Sequence, residues 1–173
     1  MITIHRYKAW NAAMPTTAAL VKVTTGTAIK TMLQIATPAT RQLQLISWGF
    51  SLDAAPASTG AGVVELLQTD VAATVTAHVA SGVQPLDPNA PASLVTLGTT
   101  ATGYTASLEG TTTASRSFDT QEVAGVSGGM GALNYTYQFM PDERPIVAVS
   151  KYLRVRVTFT AAVNMVCYVC WDE

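Results

Sequence analysis

Lys151-Tyr-Leu-Arg-Val-Arg-Val-Thr-Phe-Thr160 is followed, two residues on, by Val163-Asn-Met-Val-Cys-Tyr-Val-Cys-Trp-Asp-Glu173. In the first stretch Leu153, Val155, Val157 and Phe159 are apolar, while Arg154, Arg156, Thr158 and Thr160 between them are polar. Alternation with a period of two is the signature of a strand with one buried and one wet face. The second stretch places Val163, Met165, Cys167, Val169 and Trp171 on one side, and it ends at Asp172-Glu173. The chain is therefore expected to close on two consecutive core strands that carry no catalytic group.

Upstream, Tyr135, Tyr137 and Phe139 line one face of a strand over 134–140, and Pro141-Asp-Glu-Arg-Pro145 turns the chain into Ile146–Val149. A strand is read over 113–118, others over 63–68 and 74–79, and a hairpin or two sequential strands over 19–24 and 29–35. In Arg41–Leu52 the inward phase runs Leu43, Leu45 and then Ile46, Trp48, Phe50, Leu52, which a β-bulge near Ile46 or Ser47 reconciles. Proline makes 85–91 a loop, and 53–62 and 81–131 are the long irregular stretches. No segment sustains a helical period. The expected fold is all-β, an antiparallel β-sandwich of jelly-roll type with Greek-key connections. Residues 1–17 are expected to form an extended N-terminal arm and 18–173 a single domain, although Ile2, Ile4, Tyr7 and Trp10 also suit an ordinary first strand.

The chain has 173 residues, enough for one domain with a sizeable core. It is 49% hydrophobic and only 12% charged, against about 25% charged in ordinary soluble domains. Its surface must therefore be built from small and uncharged residues, which favours permanent assembly. A formal net charge of −1 and a pI near 6.1 supply no field for a polyanion or an anionic membrane. No apolar run approaches the ~18 residues of a membrane span, and Met1–Trp10 mixes charges and aromatics where a secretory signal would be apolar. The expectation is synthesis and retention in the cytoplasm, unless the protein leaves as part of a larger particle.

Motifs with chemistry are scarce. Cys167 and Cys170 lie three apart in a strand, so their sulfurs point to opposite faces and neither pair nor share a metal. Cys167 is expected in the core and Cys170 as a free thiol on the other face. His78 falls on a polar strand face and is read as exposed. With His5 as the only other histidine, no metal or other cofactor is expected. Val123–Gly131 lacks the Lys of a phosphate loop, Asp142-Glu143 sits in a proline-bounded turn, and no serine nucleophile elbow occurs. Trp48 and Trp171 read as core. Arg154 and Arg156, two apart on one strand face, either solubilise the outer sheet or bind an acidic patch on a partner. The chain reads as non-enzymatic.

In Trp48-Gly-Phe-Ser-Leu-Asp53, Val64-Glu-Leu-Leu-Gln-Thr-Asp70, Pro85-Leu-Asp-Pro88 and Phe139-Met-Pro-Asp-Glu-Arg-Pro-Ile146, running into the terminal strands and Trp171-Asp-Glu173, the chain resembles a known group. These are the small jelly-roll head decoration, or cement, proteins of tailed bacteriophages. The likeness covers most of the chain from Leu20 onward. It implies a virion structural protein made in the host bacterial cytoplasm, seated on the capsid surface, and bound to the phage major capsid protein and to copies of itself, as a trimer. The arm, through Ile4, Tyr7 and Trp10, is then the expected contact with capsid or neighbouring subunit. The second expectation is a spike or tail-associated recognition module that binds a glycan or host surface, with Tyr104 and Asn134-Tyr135 as its aromatic candidates.

Overall fold

The structure, a computed structural model, describes residues 5–57, 62–125 and 133–173. In chain order its strands are β1 (Arg6–Trp10), β2 (Val23–Thr24), β3 (Ile29–Ala36), β4 (Leu43–Leu52), β5 (Gly62–Thr69), β6 (Thr74–Ala77) and β7 (Val83–Pro85). There follow β8 (Gly103–Leu108), β9 (Ser115–Val123), β10 (Asn134–Gln138), β11 (Ile146–Val147), β12 (Tyr152–Thr158) and β13 (Asn164–Asp172).

They form two antiparallel sheets. One runs β10-β4-β13-β1-β7, with β11 added to β4 and β2 to β13; the other runs β6-β8-β3-β12-β5-β9. The cores of these sheets, β1-β13-β4-β10 and β3-β12-β5-β9, are the eight strands of a jelly roll. The chain changes sheet at every step between those strands except from β5 to β9, which pair directly. Between these two the chain inserts residues 70–114, and the insertion extends both sheets at one edge: β7 pairs with β1, and β8 and β6 extend from β3. The expected sandwich is thus the observed one.

The terminal strands alternate as read. Leu153, Val155 and Val157 of β12, and Met165, Cys167, Val169 and Trp171 of β13, are buried between the sheets against Leu33, Leu45, Trp48 and Leu66. In β4, Cys170 pairs with Ser47 and Trp171 with Leu45, so Ile46 is the extra residue of a bulge. That single residue lets Leu43, Leu45, Trp48, Phe50 and Leu52 all enter the core.

Two expectations are corrected by the packing. Residues 6–10 are no detached arm: β1 is held between β13 and β7, and Asn11, fully buried, donates from Nδ2 to the Met165 carbonyl and accepts from the Cys167 amide. Nor is the polar face of β12 wet throughout. Arg154 is only 1% exposed because both ends of the 70–114 insertion lie across that outer face. Its guanidinium donates to the carbonyls of Val71 and Glu109 and pairs with the Glu109 carboxylate at 3.3 Å, while that carboxylate accepts from Thr31 N and Oγ1. Beside it Gln34 is buried and bonds Ala73 at both N–H and C=O, and the Ala101 carbonyl as well.

Removing one member of a buried pair leaves the other charge and two carbonyls without their donor. Arg154→Ala should lower unfolding free energy by about 3 kcal/mol, and Arg156→Ala, whose pair with Glu65 at 3.0 Å is part-exposed, by under about 1 kcal/mol. Urea unfolding of the two variants checks this order.

Candidate binding surfaces

The residues expected to contact a partner are dispersed. Ile4 lies outside the described residues. Tyr7 is 1% exposed, stacks on Trp171 with ring centroids 6.2 Å apart, and donates its hydroxyl to the Pro91 carbonyl at 2.9 Å. It is a core residue of the sandwich, not the exposed anchor expected of it. Arg154 is committed to the insertion. Arg156 remains part-exposed on the outer sheet, paired to Glu65. Trp10 is half-buried on the opposite outer face, where its ring leans on Tyr168 at 5.1 Å and Lys8 Nζ lies 4.4 Å and 3.8 Å from the two ring centres. Tyr168 lies down on Gly49, where a Cβ would come within 2.9 Å of its ring and 2.6 Å of the Tyr135 carbonyl.

Both thiols are buried and free, on opposite faces of β13. Cys170, expected on the exposed face, is covered there between Lys8 of β1 and Ser47 of β4, and burial pushes both thiols up from their usual range. His78 is likewise buried, not exposed: residues 80–82 fold over it, with Gly82 against Nδ1, and Tyr104 packs at 4.8 Å. Its Nε2 sits 2.8 Å from the Trp10 carbonyl, which can only accept, so Nε2 carries the proton.

Two surfaces remain that sequence reasoning did not assemble. The first is the end of the sandwich that holds the C-terminus. There Leu86, Leu94, Leu97, Met140, Ile146 and Val149 are exposed, half of the large apolar side chains exposed among the described residues. Of these, Leu86, Leu94 and Ile146 lie beside a polar centre, in which Asp172 accepts from Arg6 at 2.8 Å and lies 3.8 Å from Arg144. Glu173 accepts from the Leu94 amide at 2.7 Å and from Ser93 Oγ at 3.1 Å. A shallow depression of about 220 Å³ lined by Arg41, Gln44, Ile146 and Asp172 opens beside them.

The second is the mouth of the sandwich between the edge strands β9 and β10. In β9, Leu66 pairs with Asp119 and Leu67 with Ser117, so Phe118 is a bulge that turns Asp119 and Gln121 to the inner face. Tyr135 and Tyr137, paired with Phe50 and Trp48, face them from β10. Asp119 Oδ2 accepts from Trp48 Nε1 at 2.9 Å and from the Tyr135 hydroxyl at 2.7 Å; Oδ1 accepts from Gln121 Nε2 at 2.7 Å. Burial first, and then the bond to Asp119, hold the Tyr135 hydroxyl protonated far above its ordinary range. Of the aromatic candidates for recognition, Tyr135 is here, Asn134 is on the exposed edge, and Tyr104 is remote, packed on His78.

No group of three or more His, Cys, Asp or Glu that could hold a metal occurs among the described residues, and no described helix is long and apolar enough to cross a membrane. Compared with protein-family models, curated proteins and solved structures, the chain matches none.

Burial lowers the His78 pKa more than its bond to Trp10 raises it. The folded value thus lies below the unfolded value of about 6.5. The unfolded chain takes up the proton first, so this contribution is complete above about pH 6.5 and is lost as pH falls toward the folded value. The melting temperature should therefore drop between pH 7 and pH 5 in the native chain, and drop less in His78→Gln, whose amide can still donate to Trp10. Calorimetry at the two pH values tests the difference.

Proposed function

We propose that this chain is a non-enzymatic structural protein of a bacteriophage virion: a capsid decoration, or cement, protein that binds the outside of the mature head and stabilises it. The observation that carries the reading is the apolar end around Asp172 and Glu173. Exposed apolar side chains on a chain with 12% charged residues call for a permanent covering partner. The resemblance in Phe139–Ile146 and the terminal strands names the phage major capsid protein as that partner. It also supports assembly of the chain into a trimer on the capsid surface, after synthesis in the bacterial cytoplasm.

The mechanism is linkage. A subunit that binds only the expanded lattice adds its binding free energy to that lattice and to no earlier state. A contact of ~1,600 Å² suffices for specific attachment, and three linked copies add avidity. Because β1 is locked into its own sheet, the contact is made by the C-terminal end, with Leu94, Met140 and Ile146 as anchors.

Light scattering with size exclusion should give a trimer mass, and the protein should co-sediment with expanded shells of its cognate capsid protein but not with unexpanded ones. Leu94→Asp and Ile146→Lys, at side chains 51% and 41% exposed, should weaken shell binding at least about tenfold while changing unfolding free energy by no more than about 0.5 kcal/mol. A monomer indifferent to shells, or unimpaired binding by both variants, would overturn the proposal.

A further inference from the structure

We infer that the mouth between β9 and β10 is a binding site for a neutral, hexose-type sugar. The groove encloses about 500 Å³, within the ~300–1,000 Å³ of small-ligand pockets. Its walls have the two characters of a sugar ring. Tyr137, 38% exposed, offers apolar ring surface, while Asp119 and Gln121 opposite offer hydrogen-bonding groups.

Asp119 is prepared for this role. A carboxylate has about four acceptor positions, and the bonds from Trp48, Tyr135 and Gln121 occupy three. The position left on Oδ1 suits a ligand hydroxyl. The three donors hold the carboxylate so that little side-chain freedom is lost on binding. Tyr135, itself stacked on Phe50 at 5.5 Å, is fixed as a donor to Asp119. Charge sets the ligand class: Asp119 and Glu143 line the groove, and Arg116, over the Phe118 ring at 4.9 Å, is engaged, donating to the Ile146 carbonyl and Gln68 Oε1. Acidic sugars, phosphates and nucleotides are thereby disfavoured. The groove is open along the two edge strands, so a sugar within a longer glycan chain fits as well as a free one.

This site adjoins the apolar end along Phe139–Pro145, but its test is a sugar titration of the protein alone and does not depend on shell binding. The full-length protein, labelled with ¹⁵N, is titrated with glucose, galactose, mannose, N-acetylglucosamine and N-acetylgalactosamine, each to ~50 mM, well past the millimolar dissociation constants that correspond to weak specific binding. At least one sugar should produce saturable shifts confined to the amides of 117–121 and 135–139. Tyr137→Ala should weaken it about tenfold, and Asp119→Asn should weaken it while keeping an acceptor for Trp48. No saturable shift with any of the five, or shifts that Tyr137→Ala leaves unchanged, would overturn the inference and leave Asp119 as an inward charge that guards a sheet edge.

Discussion

A guanidinium buried on the outside of a sheet organises this molecule. Arg154 projects from the centre of β12 on the face away from the main core, and water is kept from it by the two ends of the 70–114 insertion. A charge so placed is tolerated only where it is paired and bonded, and here its two terminal nitrogens donate to Val71 and Glu109, toward the two ends of the insertion, while Nε has no partner among the described residues. Gln34 repeats the device one strand over, through Ala73 and Ala101. Several of the insertion's larger apolar side chains, Val79, Leu86, Leu94, Leu97 and Leu108, are exposed and not buried, so hydrophobic burial alone would hold it weakly. Charge-assisted bonds to its backbone fix its path instead.

That path decides which edges of the jelly roll are open. With β7 against β1 and β8 and β6 beyond β3, the insertion covers the edge formed by the first two jelly-roll strands. It also carries Pro91 to the Tyr7 hydroxyl and Leu94 to Glu173, so the apolar end and the arm-like N-terminal stretch are shaped by the same segment. Among the described residues, the opposite edge, β9 and β10, receives no further strand. A sandwich closed on one side and open on the other follows from where one loop is tied.

Legibility in the sequence followed the range of the forces involved. The terminal strands, the aromatic phase of 135–139 and the bulge at Ile46 could be read because burial between two sheets imposes a period of two on neighbouring residues. The topology-dependent facts could not. Arg154, His78 and Cys170 all sit in alternating strands on the face that the pattern marks as wet, and each is covered by a segment distant in sequence or by a cross-strand neighbour. Periodicity locates the main core, and it is blind to a second layer laid over the outer face. The Tyr7 reading failed for the related reason that an aromatic at a chain end looks unpartnered until its sheet neighbours, here Trp171 and Val83–Pro85, are known. Asp119 lacked any local mark. Its one signal was indirect: a core tryptophan needs an acceptor for its indole N–H, and the acceptor proved to be on the opposite sheet, beyond a bulge.

Edge control and assembly are then one problem. An edge strand as long as β9, Ser115–Val123, is a template for pairing with another chain unless it is bent or charged. The Phe118 bulge bends it, Arg116 lies over the Phe118 ring at 4.9 Å, and Asp119 turns a carboxylate into the mouth. Strand-to-strand pairing is thus disfavoured at the long edge, and the other edge ends in the short strands β6 and β7. Association of such a molecule falls to its faces and ends. The outer face of one sheet is overlaid by the insertion, and the other carries Arg6 and a Lys8 ammonium set over the Trp10 and Tyr168 rings. The end around Asp172 is different, because it sets apolar side chains beside a carboxylate already paired with Arg6 and Arg144, so a partner can cover Asp172 without leaving it unpaired. Fixing the insertion at Arg154 therefore does more than stabilise a loop: it brings Leu94 to Glu173 and Leu86 beside Arg6, and so helps build the apolar end of the sandwich.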